Sequence, residues 1–75
     1  MKELKVMLYT IEDVKEFVNI TNKYEFDCDL VSGRYAVDAK SIMGIFSLDL
    51  SKEIKVQIHS DACDDFISEL KPFEA

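Results

Sequence analysis

Short stretches of alternating apolar and polar residues, separated by stretches of helical periodicity, restrict the folds open to this chain. The alternation predicts half-buried strands over about residues 2–9, 26–30, 35–37 and 54–59, with a tight turn at Ser32-Gly33 making the middle two a hairpin. Helical spacing predicts helices over about 11–22, over the apolar segment 42–48, and from Ser60 until Pro72 ends the last one. The order βαββαβα predicts an α+β domain whose helices cover one face of a sheet.

Caps and inward faces follow from the same spacing. Thr10 is a predicted N-cap with Asp13 three residues later, close to a capping box, and Ser41 and Ser60 are the predicted N-caps of the second and third helices. The predicted inward residues are Ile11, Val14, Phe17, Val18 and Thr21 in the first helix, and Ala62, Cys63, Phe66, Ile67 and Leu70 in the last. Tyr9 and Tyr24 are predicted to pack rather than to react.

Size and charge exclude several function classes. Seventy-five residues make one domain, 1–75, with one modest core. Nine basic against fifteen acidic residues give a net charge of −6, which argues against nucleic acid and against an anionic membrane surface as partners. No apolar stretch reaches the length of a spanning helix and no signal sequence is recognisable, so we expect a cytoplasmic protein.

The two cysteines and the single histidine give little sign of a metal or redox site. Cys28 and Cys63 lie far apart in the sequence, each within an apolar pattern, so we expect buried, reduced thiols. The last helix also carries acidic residues, Asp61, Asp64, Asp65 and Glu69, whose spacing is not that of a calcium loop. The helix dipole accounts for the first three of them, and we expect neither a metal nor a cofactor.

The segment from Ile42 to Leu48 has more large apolar residues than a two-turn helix can bury on one side. Some of them are then expected to face solvent, where an apolar patch commonly marks a partner site. The alternative is that the whole segment belongs to the core. Periodicity alone leaves both interpretations open.

The nine residues 40–48, KSIMGIFSL, resemble the second helix of HPr, the histidine-containing phosphocarrier of the bacterial sugar phosphotransferase system, and most of all its Gram-positive form. About residues 21–71 fit that family's pattern. The resemblance implies an open-faced β-sandwich, with a four-stranded antiparallel sheet and three helices on one face. It also implies that the second helix contacts partner proteins, through residues that by position are Lys40, Ile42, Met43 and Phe46.

Ser41 lies at the position where Gram-positive HPr is phosphorylated by a regulatory kinase. The resemblance therefore makes Ser41 a candidate phosphorylation site, and a phosphate at a helix N-cap is favoured by the dipole. The alternative is a plain cap contributing about 1 kcal/mol. Both interpretations of Ser41 stay open at the level of the sequence.

The start of the first helix departs from the family pattern. HPr carries its phosphate there on a His that is followed closely by an Arg and a Pro, and by spacing these positions hold Thr10, Glu12 and Asp13. Two carboxylates at this place would repel a phosphoryl donor, so histidine phosphotransfer is not expected. His59, on the polar face of the last strand, is predicted to be an ordinary exposed histidine.

These inferences predict an HPr-like, non-enzymatic protein that acts as a regulatory or protein-binding module. Its partners would be other proteins, possible members of the phosphotransferase or catabolite-regulation system. Two alternatives remain at this stage. One is an atypical phosphocarrier using Thr10 or His59, and the other is a structural domain that associates with itself.

Overall fold

The computed structural model describes residues 2–75 and contains one sheet and three α-helices. The elements are β1 (Lys2–Val6), α1 (Ile11–Thr21), β2 (Cys28–Ser32), β3 (Tyr35–Asp38), α2 (Ile42–Phe46), β4 (Ile54–Ile58), α3 (Asp64–Glu69) and a terminal 3-10 turn (Lys71–Phe73). This order confirms the predicted βαββαβα sequence of elements. No helix within the described residues is long and apolar enough to cross a bilayer.

The four strands form an antiparallel sheet in the order β1-β4-β2-β3. On the inner face, Ile54, Val56 and Ile58 of β4 have no exposed surface, whereas Lys55 between them is exposed. The helices cover this inner face, because their own buried residues join the same core cluster. The predicted α+β class, with a four-stranded antiparallel sheet, is therefore confirmed.

Each helix contributes to the core according to its length. The buried residues are Val14, Phe17, Val18, Ile20 and Thr21 in α1, Ile45 in α2 and Phe66 in α3. Cys28 and Cys63 are buried and free, as predicted. Burial raises the pKa of the Cys28 thiol to about 12, so this thiol stays protonated at neutral pH.

The strand boundaries differ from the predicted ones at three places. β1 ends at Val6 rather than near residue 9, because Val6 faces Ile54, the first residue of β4; the Met7 N–H then donates to the Phe73 carbonyl at 2.7 Å. β2 begins at Cys28, since the Phe26 ring turns away to stack on Tyr24 at 5.3 Å. The hairpin turn is Gly33-Arg34, one residue later than predicted.

Gly33 gives this turn its geometry. Its φ of +60° lies in the left-handed region, which glycine adopts at no steric cost. A positive φ at the first turn residue matches the two-residue type II′ hairpin, whose twist suits the flanking strands.

Two helix predictions are also wrong. Ser60 does not cap α3; its Oγ accepts from the Ala62 N–H at 3.2 Å in a local turn, and the helix begins only at Asp64 with Cys63 at the N-cap. Ala62 therefore precedes the helix and is exposed. In α1, Ile11 is 59% exposed because burial begins one turn later, at Val14.

Candidate functional site

The start of α1 is closed by a reciprocal pair of hydrogen bonds. The Asp13 N–H donates to Thr10 Oγ1 at 3.1 Å, and Asp13 Oδ2 accepts from the Thr10 N–H at 3.3 Å. The same Oδ2 also accepts from the Tyr9 N–H at 3.0 Å. The near capping box predicted from the sequence is thus a complete one.

This arrangement places a built-in anion where a helix favours one. The unpaired N–H groups and the dipole make a helix N-terminus attractive to phosphate or carboxylate, and here Asp13 supplies the carboxylate. Glu12 adds a second negative charge in the same turn. An incoming anion at Thr10 would compete with Asp13 for two N–H groups and be repelled by both acids.

Two large side chains beside this helix start are exposed, which the sequence did not indicate. Tyr9 is 76% exposed and Ile11 59% exposed. The prediction that Tyr9 packs is wrong, because the residue lies between the end of β1 and the cap of α1 and has no core partner there. Tyr24 does pack, against Phe26 and Phe66.

The start of α2 is capped by a side-chain hydroxyl alone. Ser41 is exposed, and its Oγ accepts from the Gly44 N–H at 3.2 Å, which confirms the predicted N-cap. The Ser41 N–H donates to the Asp38 carbonyl at 3.0 Å and fixes the cap to the end of β3. The first turn of α2 contains no acidic residue, in contrast to α1.

Gly44 allows α2 to lie close to β3. A Cβ atom at this position would stand 3.2 Å from Val37 Cβ and 3.2 Å from Ser41 Oγ, closer than most real Cβ contacts. The glycine in the motif at residues 40–48 is thus explained by a close approach. A residue with a side chain at this position would displace both α2 and the Ser41 cap.

The apolar residues of α2 divide between the core and solvent. Ile45 is fully buried and Ile42 is half-buried against the core, whereas Met43 is 78% exposed and Phe46 40% exposed. The expectation that part of this segment faces solvent is confirmed. We refer to Ile42, Met43 and Phe46 as the α2 surface.

Lys40, the fourth predicted contact residue, is held by the protein itself. Its Nζ donates to the Tyr24 carbonyl at 2.8 Å, and its backbone N–H donates to Asp38 Oδ1 at 2.9 Å. The side chain is half-buried and links the loop before α2 to the segment after α1. A direct contact of Lys40 with a partner stays a prediction.

His59 lies on the far side of the sheet from α1. Its Nε2 is 2.8 Å from Oδ2 of Asp29, a residue that alternates with the buried Cys28 and Leu30 and therefore faces outward. Asp27 and Asp38 line the same open cleft. Within residues 2–75, no three His, Cys, Asp or Glu side chains are placed to hold a metal ion.

A polar cluster joins the end of α1 to α3. The Tyr24 hydroxyl donates a hydrogen bond to the Glu69 carboxylate, and Lys23 Nζ lies 2.7 Å from Glu69 Oε1. The bond to Glu69 raises the pKa of Tyr24 to about 12, and the bonds from Lys23 and Tyr24 lower the pKa of Glu69. This cluster fixes the segment that contains Tyr24. Since the Tyr24 carbonyl accepts a hydrogen bond from Lys40 Nζ, the cluster also supports the start of α2.

Comparison with known proteins adds a family and a set of similar structures. Residues 13–72 match the family model for the PTS HPr component phosphorylation site. No curated protein sequence matches the chain. Among solved structures, HPr-C-His from Thermoanaerobacter tengcongensis is similar at 27% identity and TM-score 0.78, covering 93% of this chain and 86% of that one.

Two further structures share the fold at lower identity. Phosphocarrier protein HPr from Bacillus anthracis has 20% identity and TM-score 0.74, covering 99% of this chain and 96% of its own. The histidine-containing phosphocarrier protein of a Mycoplasma has 14% identity and TM-score 0.76, covering 95% and 89%. At these identities the likeness concerns the fold alone.

Proposed function

Because the chain belongs to the HPr family of the bacterial sugar phosphotransferase system, we propose that it acts as a protein-binding regulatory module rather than as a histidine phosphocarrier. The α2 surface would contact the partner, and Ser41 would be a regulatory phosphorylation site. The observation that carries the proposal is the Asp13 carboxylate, which accepts from the backbone N–H groups of Tyr9 and Thr10 at the start of α1.

The chemistry at the start of α1 argues against phosphoryl transfer. A phosphoryl group brings about 1.5 to 2 negative charges and needs N–H donors or cations to offset them. Here Asp13 engages the N–H groups of Tyr9 and Thr10 and places a carboxylate beside the helix start, and Glu12 adds another negative charge. The chain's single histidine, His59, pairs with Asp29 on the other side of the sheet and cannot take the place of Thr10.

The exposure pattern of α2 supports a protein contact. Ile45 anchors the helix in the core, so Met43 and Phe46 are presented on a fixed scaffold. Exposed apolar side chains of this size bind water poorly, and methionine adapts its shape to different partners. A partner would cover Met43 and Phe46 and gain the hydrophobic free energy that folding leaves unused.

Phosphorylation of Ser41 would act directly on this surface. The residue is exposed, and the first turn of α2 has no acidic side chain to repel a phosphate. Added charge at residue 41 would change the border of the α2 surface, which begins at the next residue, Ile42. The modification would thus select between partners without unfolding the helix.

Intact-mass analysis tests whether Ser41 is phosphorylated. We expect one added phosphate after incubation of the full chain with an HPr kinase and ATP, and none on the Ser41→Ala variant. Ser47→Ala is the matched control, since Ser47 lies on the other end of α2 and its hydroxyl donates to the Gly44 carbonyl. Absence of phosphate, with an ordinary HPr phosphorylated in parallel, would contradict the regulatory assignment and leave Ser41 as a cap.

Three further measurements test the rest of the proposal. Incubation with phosphoenolpyruvate and the first enzyme of the phosphotransferase system should produce no acid-labile phosphate; a phosphorylated product would favour the atypical carrier. Met43→Asp should abolish capture of the partner, while Ser68→Asp, a charge-matched change at an exposed position of α3, should not. Light scattering distinguishes a foreign partner from self-association, which would give a concentration-dependent mass.

A further inference from the structure

The outer face of the sheet carries two neighbouring rows of opposite charge. The strand register aligns one row near the β2–β3 turn, consisting of Lys5, Lys55, Val31 and Ala36. Two residues further along the strands, about 7 Å away, the next row consists of Glu3, Gln57, Asp29 and Asp38. The outer face is therefore basic at the turn end and acidic at the other end.

The two lysines of the first row lie directly opposite each other. Like charges at opposed positions of an antiparallel pair destabilise a sheet by up to about 1 kcal/mol. Within residues 2–75 neither Lys5 nor Lys55 has a hydrogen bond or an ion pair through its side chain, whereas Lys2 and Lys23 reach carboxylates at 3.5 and 2.7 Å. Folding stability gives no reason for this pair of unpaired cations.

Two open clefts meet beside this pair, at Gly33. One, of about 350 Å³, is lined by Lys5, Val31, Gly33, Glu53 and Lys55. The other, of about 400 Å³, shares Gly33 with it and continues around the turn to Arg34, Lys52 and the 72% exposed Tyr35, which lies on the opposite face of the sheet from Val31 and Ala36. We call the four cations Lys5, Arg34, Lys52 and Lys55 the basic end. The acids that line these clefts are Asp49, which pairs with Lys52 at 4.0 Å, and Glu53, so the four positive charges exceed the negative ones by two.

We propose that the basic end binds an acidic peptide segment of a partner protein. The unpaired ammonium groups of Lys5 and Lys55 lie on paired strands and can bind carboxylates, and Val31 and Ala36 of the same row offer apolar contact to the peptide backbone between them. A long polyanion such as RNA would run beyond this end onto the acidic row. A second copy of the chain is a less suitable partner, because two chains that each carry a net charge of −6 repel each other.

Titration of the full chain with an octaglutamate peptide at low salt tests the proposal. We expect amide chemical shifts to move at Lys5, Gly33, Arg34 and Lys55, and binding to weaken as salt is added. Lys55→Gln should raise the dissociation constant about threefold. Lys15→Gln, which removes the same charge from an exposed position of α1, should leave it unchanged.

A second readout separates binding from folding. Lys55→Gln should raise the melting temperature of the free protein, because it removes the repulsion from Lys5. The proposal is overturned if the shifts spread evenly over the chain, if Lys15→Gln weakens binding equally, or if an RNA oligonucleotide binds more tightly than the peptide. None of these variants changes Ser41 or the α2 surface, so either proposal can fail without the other.

Discussion

Placing a histidine at residue 10 should not by itself turn this chain into a phosphocarrier. Asp13 Oδ2 lies 3.3 Å from the Thr10 nitrogen and 3.0 Å from the Tyr9 nitrogen, so a phosphoryl group using these N–H groups would stand about 4 Å from the carboxylate. At that separation each pair of unit charges repels by about 1 kcal/mol in a water-like dielectric. A phosphoryl group with about two charges is then disfavoured by about 2 kcal/mol, or about 30-fold.

The test compares Thr10→His with Thr10→His/Asp13→Asn, in which an isosteric amide removes the charge. The measurement is the equilibrium of phosphoryl exchange with an ordinary HPr, followed as acid-labile phosphate on each protein. We expect the double variant to hold about 30-fold more phosphate at equilibrium than the single variant. Thr10→His/Glu16→Gln is the control, since it removes one exposed charge from the second turn of α1.

Equal phosphate on the single and double variants would refute this reasoning, because the Asp13 carboxylate would then not be the obstacle. An equal gain with Glu16→Gln would also refute it, by showing that only the overall charge of the helix matters. Failure of the double variant to accept any phosphate would place the obstacle outside the start of α1.

Four other predictions follow from burial and pKa. Ile45→Ala should lower the free energy of unfolding by about 3 kcal/mol, and Met43→Ala by less than about 0.5, in urea denaturation, because only Ile45 is buried. In an absorbance titration Tyr24 should ionise near pH 12; since this pKa is raised, its hydrogen bond stabilises the fold fully below the unfolded value of about 10 and is lost as pH rises towards 12. The lowered pKa of Glu69 means that its stabilisation is present above the unfolded value and lost on acidification, so wild type and Glu69→Gln should converge in stability at low pH. Cys28 should react with thiol reagents only as fast as the protein opens, because its thiol is buried and protonated.

Local signals in the sequence predicted the parts of this fold that depend on near neighbours. Thr10 and Asp13 are three residues apart and make a capping box, and Ser41 caps α2 through the Gly44 N–H three residues later. The alternation around Val56 gives the correct buried face of β4 because side chains alternate along any strand.

Most of the errors occur where distant parts of the chain decide the outcome. β1 ends at Val6 because its partner strand begins there, and Phe26 leaves the strand pattern because its ring packs against Phe66 of α3 as well as against the neighbouring Tyr24. That Lys5 and Lys55 lie opposite each other could not be predicted from the sequence, because it depends on the register between β1 and β4. Ser60 resembles a cap as well as Ser41 does, yet the chain needs three more residues before α3 can begin.

The two helix starts use the same physics to opposite effect. At α1, a carboxylate three residues into the helix satisfies the cap and leaves the site negative, so a second anion at Thr10 would be repelled. At α2, an uncharged hydroxyl satisfies the cap and the first turn stays free of acids, so a phosphate on Ser41 would meet no carboxylate in that turn. If regulation and transport are separable in this family, replacing Thr10 and Asp13 should leave modification of Ser41 unchanged. Intact-mass analysis of the Thr10→His/Asp13→Asn variant with an HPr kinase and ATP measures this directly; loss of the Ser41 phosphate would show that the two helix starts are coupled.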